Sequence, residues 1–219
     1  MNKMQFRLMI LFGVLVGATS CVGVAITTAA DNPAKPADEL PSYTGDQPAP
    51  DPLPPLVEEP GFISIFDGKT LEGWKAKDMS FWSVEDGAIT GKITPEHPTE
   101  RNHYLVYQGG VLKDFEIKMR HRILTKSDVN SGFQFRSELI DWKITNDCRG
   151  YQMDNNTGTP WLVRLYDEHG RDTLAWRGEK AVFNESGQKT VTPIEGAAGP
   201  ARFSLGEWHE YDLTCKGTL

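Results

Sequence analysis

A two-residue alternation of polar and apolar side chains is the feature that most constrains how this chain can fold. It is clearest between Asn130 and Asp154, where Asn-Ser-Gly-Phe-Gln-Phe-Arg-Ser is followed, after a loop, by Arg-Gly-Tyr-Gln-Met-Asp. Successive side chains of a β-strand point to opposite faces, so this period predicts two strands that each bury one face. The faces predicted from it are Gly132, Gln134, Arg136 and Glu138 opposite Phe133 and Phe135, then Gln152 and Asp154 opposite Tyr151 and Met153.

These two strands supply a candidate binding surface if they lie close together in one sheet. Four side chains would then share that surface, two amides, a guanidinium and a carboxylate, from Gln134, Gln152, Arg136 and Asp154. Such a set can bind a polyhydroxylated ligand. The alternative is the solvated outer face of a sandwich, which requires polar residues at the same positions.

The chain from residue 61 to residue 219 shows a succession of short strands and turns with almost no helical periodicity. The clearest hairpin signal is Glu85-Asp86-Gly87, which lies between two apolar runs. Residues 178 to 200 are polar and glycine-rich, which predicts a loop or irregular excursion. About ten strands with one polar face each predict an all-β fold in which two antiparallel sheets pack face to face as a jelly-roll sandwich.

Residues 1 to 30 have the parts of a secretory signal, which we expect to lie outside the fold. Lys3 and Arg7 precede an uncharged run that extends to Ala30. Cleavage before Cys21 would give a lipid-anchored protein, and cleavage before Asp31 a soluble one. The third alternative is a retained membrane helix. The prediction is export to a bacterial periplasm or cell surface, with membrane contact only through the signal or the lipid anchor.

Residues 31 to 60 are predicted to form an extended linker between that signal and one folded domain, residues 61 to 219. The segment holds nine of the 14 prolines and seven acidic residues against Lys35. The formal net charge of the chain is -7, and much of the acidic excess lies in this linker. Without a basic stripe to bind phosphates, nucleic acid is not an expected partner.

The three cysteines do not predict a zinc site. They are not spaced as a CxxC pair, and the five histidines are not clustered. In an exported protein, Cys148 and Cys215 have two alternatives, a disulfide that closes a long loop or two buried free thiols.

Several short motifs together resemble the 3-keto-disaccharide hydrolase family across residues 61 to 219. They are Phe66-Asp67-Gly68-Lys69, Gly73-Trp74, Trp82-Ser83-Val84-Glu85-Asp86-Gly87, Lys113-Asp114-Phe115-Glu116, Asn130-Ser131-Gly132, Phe135-Arg136, Gly150-Tyr151-Gln152, Leu165-Tyr166-Asp167-Glu168 and Gly206-Glu207-Trp208. The resemblance implies a concanavalin A-like jelly roll and action on glycosides whose sugar carries a ketone at C3. This chain departs from the family pattern twice. Gln152 replaces a more common glutamate, and the chain reaches Leu219 where relatives continue into one or two further strands, so the domain is expected to lack its last strands.

The implied reaction needs a base for the C2 proton, an acid for the leaving oxygen, and a positive group or a divalent metal near the C3 oxygen. We expect Asp154 to be the base, with His97 or Glu168 as alternatives, and Arg136 to stabilise the C3 oxygen. Gln134, Gln152, Tyr166 and Glu168 are the predicted sugar-binding residues. Each has a structural alternative: Arg136 pairing with a strand neighbour, Asp154 capping the turn after it, His97 as an ordinary loop residue, Tyr166 in the core. A non-catalytic carbohydrate-binding module is the rival function.

Overall fold

The computed structural model describes residues 2–10, 21–27, 59–94, 97–99, 102–124, 130–142, 144–155, 161–197 and 206–217. Within these ranges the chain forms fifteen strands, and the sole helical element is a short 3₁₀ turn, Met79–Phe81. The prediction of an all-β fold is therefore confirmed. No helix in the described ranges is both long and apolar enough to span a bilayer. The predicted linker, apart from Glu59 and Pro60, lies outside the described residues.

The strands are numbered here in chain order. They are β1 (Asn2–Ile10), β2 (Cys21–Thr27), β3 (Ile63–Ser64), β4 (Trp74–Lys75), β5 (Trp82–Glu85), β6 (Ala88–Gly91), β7 (His103–Tyr107), β8 (Phe115–Ile123), β9 (Asn130–Trp142), β10 (Ile144–Asp154), β11 (Leu165–Glu168), β12 (Asp172–Ala175), β13 (Glu179–Phe183), β14 (Lys189–Pro193) and β15 (His209–Cys215).

The strands form two large sheets and one small one. The first sheet has the order β15-β8-β1-β6-β5, with β3 paired to β1, and the second has the order β12-β11-β10-β9-β2-β7-β4. Among the described strands, the ladders that β1 makes are parallel and the others are antiparallel. The predicted hairpin forms between β5 and β6, where Asp86 and Gly87 both have a positive φ.

The hairpin β13–β14 lies in the segment that the sequence predicts to be a loop, and that prediction is wrong. The Asn184 side chain closes this hairpin by accepting hydrogen bonds in place of a backbone carbonyl. Asn184 Oδ1 accepts from Ser186 N at 3.1 Å and from Gln188 N at 2.8 Å. Asparagine often stabilises turns in this way, and Gly187 supplies the positive φ of 79° that follows. All five residues of β14 are exposed, so its sequence has no buried apolar face from which a strand could be predicted.

The apolar faces of both large sheets contribute to one core cluster. From the first sheet it takes Ile89, Phe115, Ile117, Met119, Ile123 and Cys215, and from the second Trp74, Leu105, Phe133, Phe135 and Met153. Cys148 and Cys215 are buried free thiols, the second of the two alternatives predicted for them. Burial raises the pKa of the Cys215 thiol to about 11, so it stays protonated and unreactive at neutral pH.

A bulge in β9 interrupts the alternation on which the sequence interpretation depends. Phe135 pairs with Tyr151 and Glu138 with Arg149, so β9 contributes one residue more than β10 between these two pairs. Arg136 lies at the bulge with a φ of 48°. Glu138 therefore shares a face with Phe135 and forms an ion pair with Arg149. The prediction that Glu138 lies on the face of Gln134 is wrong for this reason.

Two segments of the predicted signal pair with the sheets. β1 lies between β8 and β6, and β2 lies between β9 and β7. The sequence of β1 can form a strand because Lys3, Gln5 and Arg7 alternate with apolar residues. The expectation that residues 1 to 30 lie outside the fold thus differs from the pairing of β1 and β2 in this chain. Whether the mature protein keeps these strands depends on processing, which stays a prediction.

We expect protein recovered from a bacterial host to begin at Cys21 or Asp31, because the uncharged run after Arg7 favours recognition as a signal. Intact-mass measurement of the membrane and soluble fractions tests this, and a lipid adduct on Cys21 distinguishes the two cleavage routes. Soluble cytoplasmic protein that retains Met1 would contradict the prediction.

Candidate functional site

Five of the predicted site residues lie on one face of the second sheet. Gln134 of β9 lies directly opposite Gln152 of β10, and Gln152 lies opposite Tyr166 of β11. Asp154 is two residues further along β10, opposite Gly132. Directly opposed residues of an antiparallel pair share a face, so the structure brings these side chains together. We call the set formed by Gln134, Gln152, Asp154, Tyr166 and Glu168 the polar face.

Most of this polar face is closed off from solvent. Gln134 is 0% exposed, Gln152 2% and Asp154 1%. Gly132 makes room for the nearest amide, because a Cβ on that glycine would lie 2.6 Å from Gln152 Oε1. A larger residue at position 132 would have to displace Gln152.

Three buried oxygen atoms of the polar face have no hydrogen-bond partner in the described part of the chain. They are Gln134 Oε1, Gln152 Oε1 and Asp154 Oδ1. Gln134 does donate through Nε2 to Cys148 Sγ at 3.4 Å. A buried polar atom left without a partner costs about 1 to 3 kcal/mol, and native proteins tolerate few of them. Hydroxyl groups are the kind of donor that would satisfy such oxygens.

Asp154 is anchored by a cation that sequence reasoning missed. Its Oδ2 accepts from Arg164 Nε at 2.5 Å. The Arg164 guanidinium lies 4.4 Å from the ring centroids of both Trp161 and Tyr166, and 5.7 Å from that of Trp176. Burial raises the pKa of Asp154 to about 6, and Arg164 limits that rise. The turn that Asp154 was expected to cap is Asn155-Asn156-Thr157-Gly158, and all of it after Asn155 lies outside the described ranges.

Glu168 lies at the opposite end of the polar face from Asp154. It ends β11 opposite Gly150, two residues from Tyr166 and on the same face. Its side chain is 18% exposed, whereas that of Asp154 is 1% exposed. Burial and then the charge of Glu168 raise the pKa of Tyr166. This end of the face is therefore the more accessible one.

Beside Glu168 lies a cluster that the sequence interpretation did not identify. Asp147 Oδ1 accepts from Tyr104 Oη at 2.8 Å, and Asp147 Oδ2 lies 2.9 Å from His169 Nε2. Asp147 lies within β10, and His169 lies in the turn between β11 and β12. No local motif signals their contact, because they are distant in sequence and are brought together by the strand register. We call Tyr104, Asp147, Glu168 and His169 the acid end of the polar face.

Arg136, predicted to stabilise the C3 oxygen, is held elsewhere. Its guanidinium donates to Lys113 O at 2.8 Å and to Gly217 O at 2.8 Å, and lies 3.5 Å from Asp114. These partners adjoin β8 and β15 of the first sheet. The bulge at Arg136 accounts for the difference, because it takes the side chain out of the alternation that places Gln134 on the polar face.

We expect Arg136→Ala to lower the thermal melting temperature, because two backbone carbonyls and Asp114 lose a charged donor. The free energy of unfolding should fall by about 1 to 3 kcal/mol. Denaturant unfolding measures this, with Arg149→Ala, a more exposed arginine of β10, as the matched control. If the variant instead keeps its stability and loses activity by about 100-fold, the order typical for a lost oxyanion donor, Arg136 would contact the C3 oxygen as the sequence predicts.

His97, an alternative base, is not brought to the polar face by its described contacts. Its ring stacks on Phe81 at 3.9 Å between centroids, and its Nε2 lies 3.2 Å from Ser80 Oγ. Its backbone pairs with Thr94. As for a metal, the described residues contain no group of three or more histidine, cysteine, aspartate or glutamate side chains arranged to hold an ion.

Fold and site together define an all-β protein with a largely enclosed polar face that presents unpaired oxygen atoms. The chain belongs to the family of 3-keto-alpha-glucoside-1,2-lyase-like domains, whose model matches residues 61–219. A protein of Bacteroides thetaiotaomicron named 3-keto-disaccharide hydrolase is 39% identical over 93 residues. That match covers 40% of this chain and 31% of the relative, so the chain spans less than a third of its length. No solved structure matches the chain.

Proposed function

We propose that this protein cleaves the glycosidic bond of 3-keto-glycosides. Family membership and the name of the Bacteroides relative support the substrate class. The observation that carries the proposal is the set of unpaired buried oxygens on Gln134, Gln152 and Asp154, which suits a ligand rich in hydroxyl groups. The same proposal includes a jelly-roll arrangement of the two large sheets, supported by their common apolar core.

The chemistry follows from the ketone. A carbonyl at C3 makes the C2 proton acidic, so a general base can remove it. The resulting enolate reforms the ketone, makes a double bond between C1 and C2, and breaks the bond from C1 to the glycosidic oxygen. Water then adds to C1 and a proton returns to C2. The net reaction is hydrolysis, and a sugar without the ketone cannot follow this route.

Two carboxylates of the polar face can be the base, Asp154 and Glu168. Asp154, the first choice from the sequence, has a pKa raised to about 6, which suits a base, but its side chain is 1% exposed and bound to Arg164. Glu168 is the more accessible, and it lies beside a histidine. We therefore propose Glu168 as the base and Asp154, with Gln134 and Gln152, as ligands for sugar hydroxyls. Stabilising the enolate oxygen at C3 would require a hydrogen-bond donor or a cation beside it, such as a divalent metal from solution.

A small panel of substrates tests the proposal. The protein is incubated with 3-keto-trehalose and with trehalose, each with a chelator and with added divalent metal, and released glucose is measured. We expect release from the ketone only. A folded protein that binds 3-keto-trehalose but releases no glucose under any of these conditions would favour the carbohydrate-binding module.

A further inference from the structure

His169 belongs to the turn between β11 and β12, and a buried carboxylate holds its ring. Asp147 Oδ2 lies 2.9 Å from His169 Nε2. The other oxygen, Asp147 Oδ1, accepts from Tyr104 Oη at 2.8 Å and from Cys148 N at 2.7 Å. Tyr104 is fully buried. Because two donors fix Oδ1, the second oxygen is aimed at the imidazole.

The turn itself places His169 in an uncommon conformation. Its φ is 53°, in the left-handed region that side-chain-bearing residues rarely adopt. Gly170 N donates to Asp167 O at 3.0 Å, and a Cβ on Gly170 would lie 2.4 Å from Asp167 Oδ1. Arg171 Nε holds the same carboxylate at 2.8 Å. The surrounding contacts therefore fix where His169 projects.

The contact with Asp147 assigns different roles to the two ring nitrogens. A carboxylate accepts a hydrogen bond from Nε2–H, which leaves Nδ1 as the ring atom that can face a substrate. Glu168 Oε1 lies 4.0 Å from Nε2 of the same ring, on the edge that faces Asp147. The acid end thus places two proton carriers, a carboxylate and an imidazole, next to each other. The linkage to be broken needs two such groups close together, because the C2 hydrogen and the glycosidic oxygen are on neighbouring carbons.

We infer that His169 is the general acid that protonates the leaving oxygen, with Asp147 and Tyr104 as its positioning residues; this inference rests on the proposed function. Glu168 takes the C2 proton. As the bond from C1 to oxygen breaks, its electron pair stays on that oxygen, which takes the proton from His169 Nδ1. The incoming water then gives one proton back to His169 as its oxygen bonds to C1, and Glu168 returns its proton to C2.

Leaving groups of different basicity test the role of His169. A sugar alcohol needs a proton to leave, whereas 4-nitrophenolate leaves without one. We expect His169→Gln to cleave a 3-keto-disaccharide about 100-fold more slowly and 4-nitrophenyl 3-keto-glucoside within about threefold of the wild-type rate. Asp147→Asn should show the same pattern more weakly, since the ring remains but loses its orienting carboxylate. His209→Gln, on the edge strand of the first sheet, is the matched control and should leave both rates unchanged.

The outcomes separate the two proposals. Equal losses on both substrates, or none on either, would overturn the role of His169 while leaving the proposed function in place. A wild-type protein that cleaves neither ketone substrate would overturn the proposed function, and the role of His169 with it. If the melting curve shows that His169→Gln does not fold, the rates on the same two substrates are compared in Asp147→Asn and Tyr104→Phe. A purely structural role for these residues would give a loss that does not depend on the leaving group.

Discussion

Replacing Glu168 with glutamine is expected to lower kcat for a 3-keto-disaccharide by about 100-fold or more, the usual scale for the loss of a general base. The amide has nearly the same shape but cannot accept the C2 proton. Because the Glu168 side chain lies at the partly exposed end of the polar face, its replacement should not unfold the protein. Steady-state kinetics with 3-keto-trehalose, together with a melting curve for each variant, provides the measurement.

Asp154→Asn is the matched variant at the other end of the same face. If Asp154 binds a sugar hydroxyl through Oδ1, the amide should raise KM more than it lowers kcat, because ground-state binding is what changes. Glu185→Gln, on the exposed turn between β13 and β14, is the control for charge removal alone. A loss of kcat in Asp154→Asn, with normal kinetics in Glu168→Gln, would identify Asp154 as the base, as the sequence predicts.

The alternation of side chains was sufficient to predict the centre of the polar face. Gln134, Gln152 and Asp154 are predicted to lie together, and the register between β9 and β10 brings them together. The reason is physical: Phe133 and Met153 must both enter the core, and a strand cannot bury them without turning the intervening amides to its other face.

The same reasoning fails where the geometry is not periodic. The bulge at Arg136 adds a residue to β9, and the positive φ falls on an arginine, so no glycine marks the position. The contact between Asp147 and His169 depends on the pairing of β10 with β11, which is a long-range property. Arg164 lies just before β11, and nothing local indicates that it ion-pairs with Asp154. Local pattern therefore predicts the binding groups better than it predicts their charged partners.

Arg164→Met should be the most destabilising of the variants considered, with a loss of about 3 to 5 kcal/mol in the free energy of unfolding at pH 7. The guanidinium is 9% exposed, donates to Asp154 and to Thr173 Oγ1, and is enclosed by three aromatic rings. Methionine fills most of the volume but leaves the Asp154 carboxylate buried without its cation. Denaturant unfolding of Arg164→Met and of Asp154→Asn/Arg164→Met measures the effect, and the double variant should recover part of the loss because the unpaired charge is gone.

The pH dependence identifies the charge on Asp154 as the cause of that loss. In the wild-type protein burial raises the pKa of Asp154 from 3.8 to about 6. The contribution of this carboxyl group to the free energy of unfolding is therefore fully present below pH 3.8 and is lost as the pH rises through about 6. Arg164 lowers that pKa, so its removal should move the pKa further up and make the loss of stability small in acid and large at neutral pH. Unfolding curves between pH 4 and pH 8 should therefore diverge between wild-type and Arg164→Met and run nearly parallel between wild-type and a charge-neutral control such as Gln108→Ala. A destabilisation that is the same at every pH would show that Arg164 acts through its packing against the three rings and not through its charge.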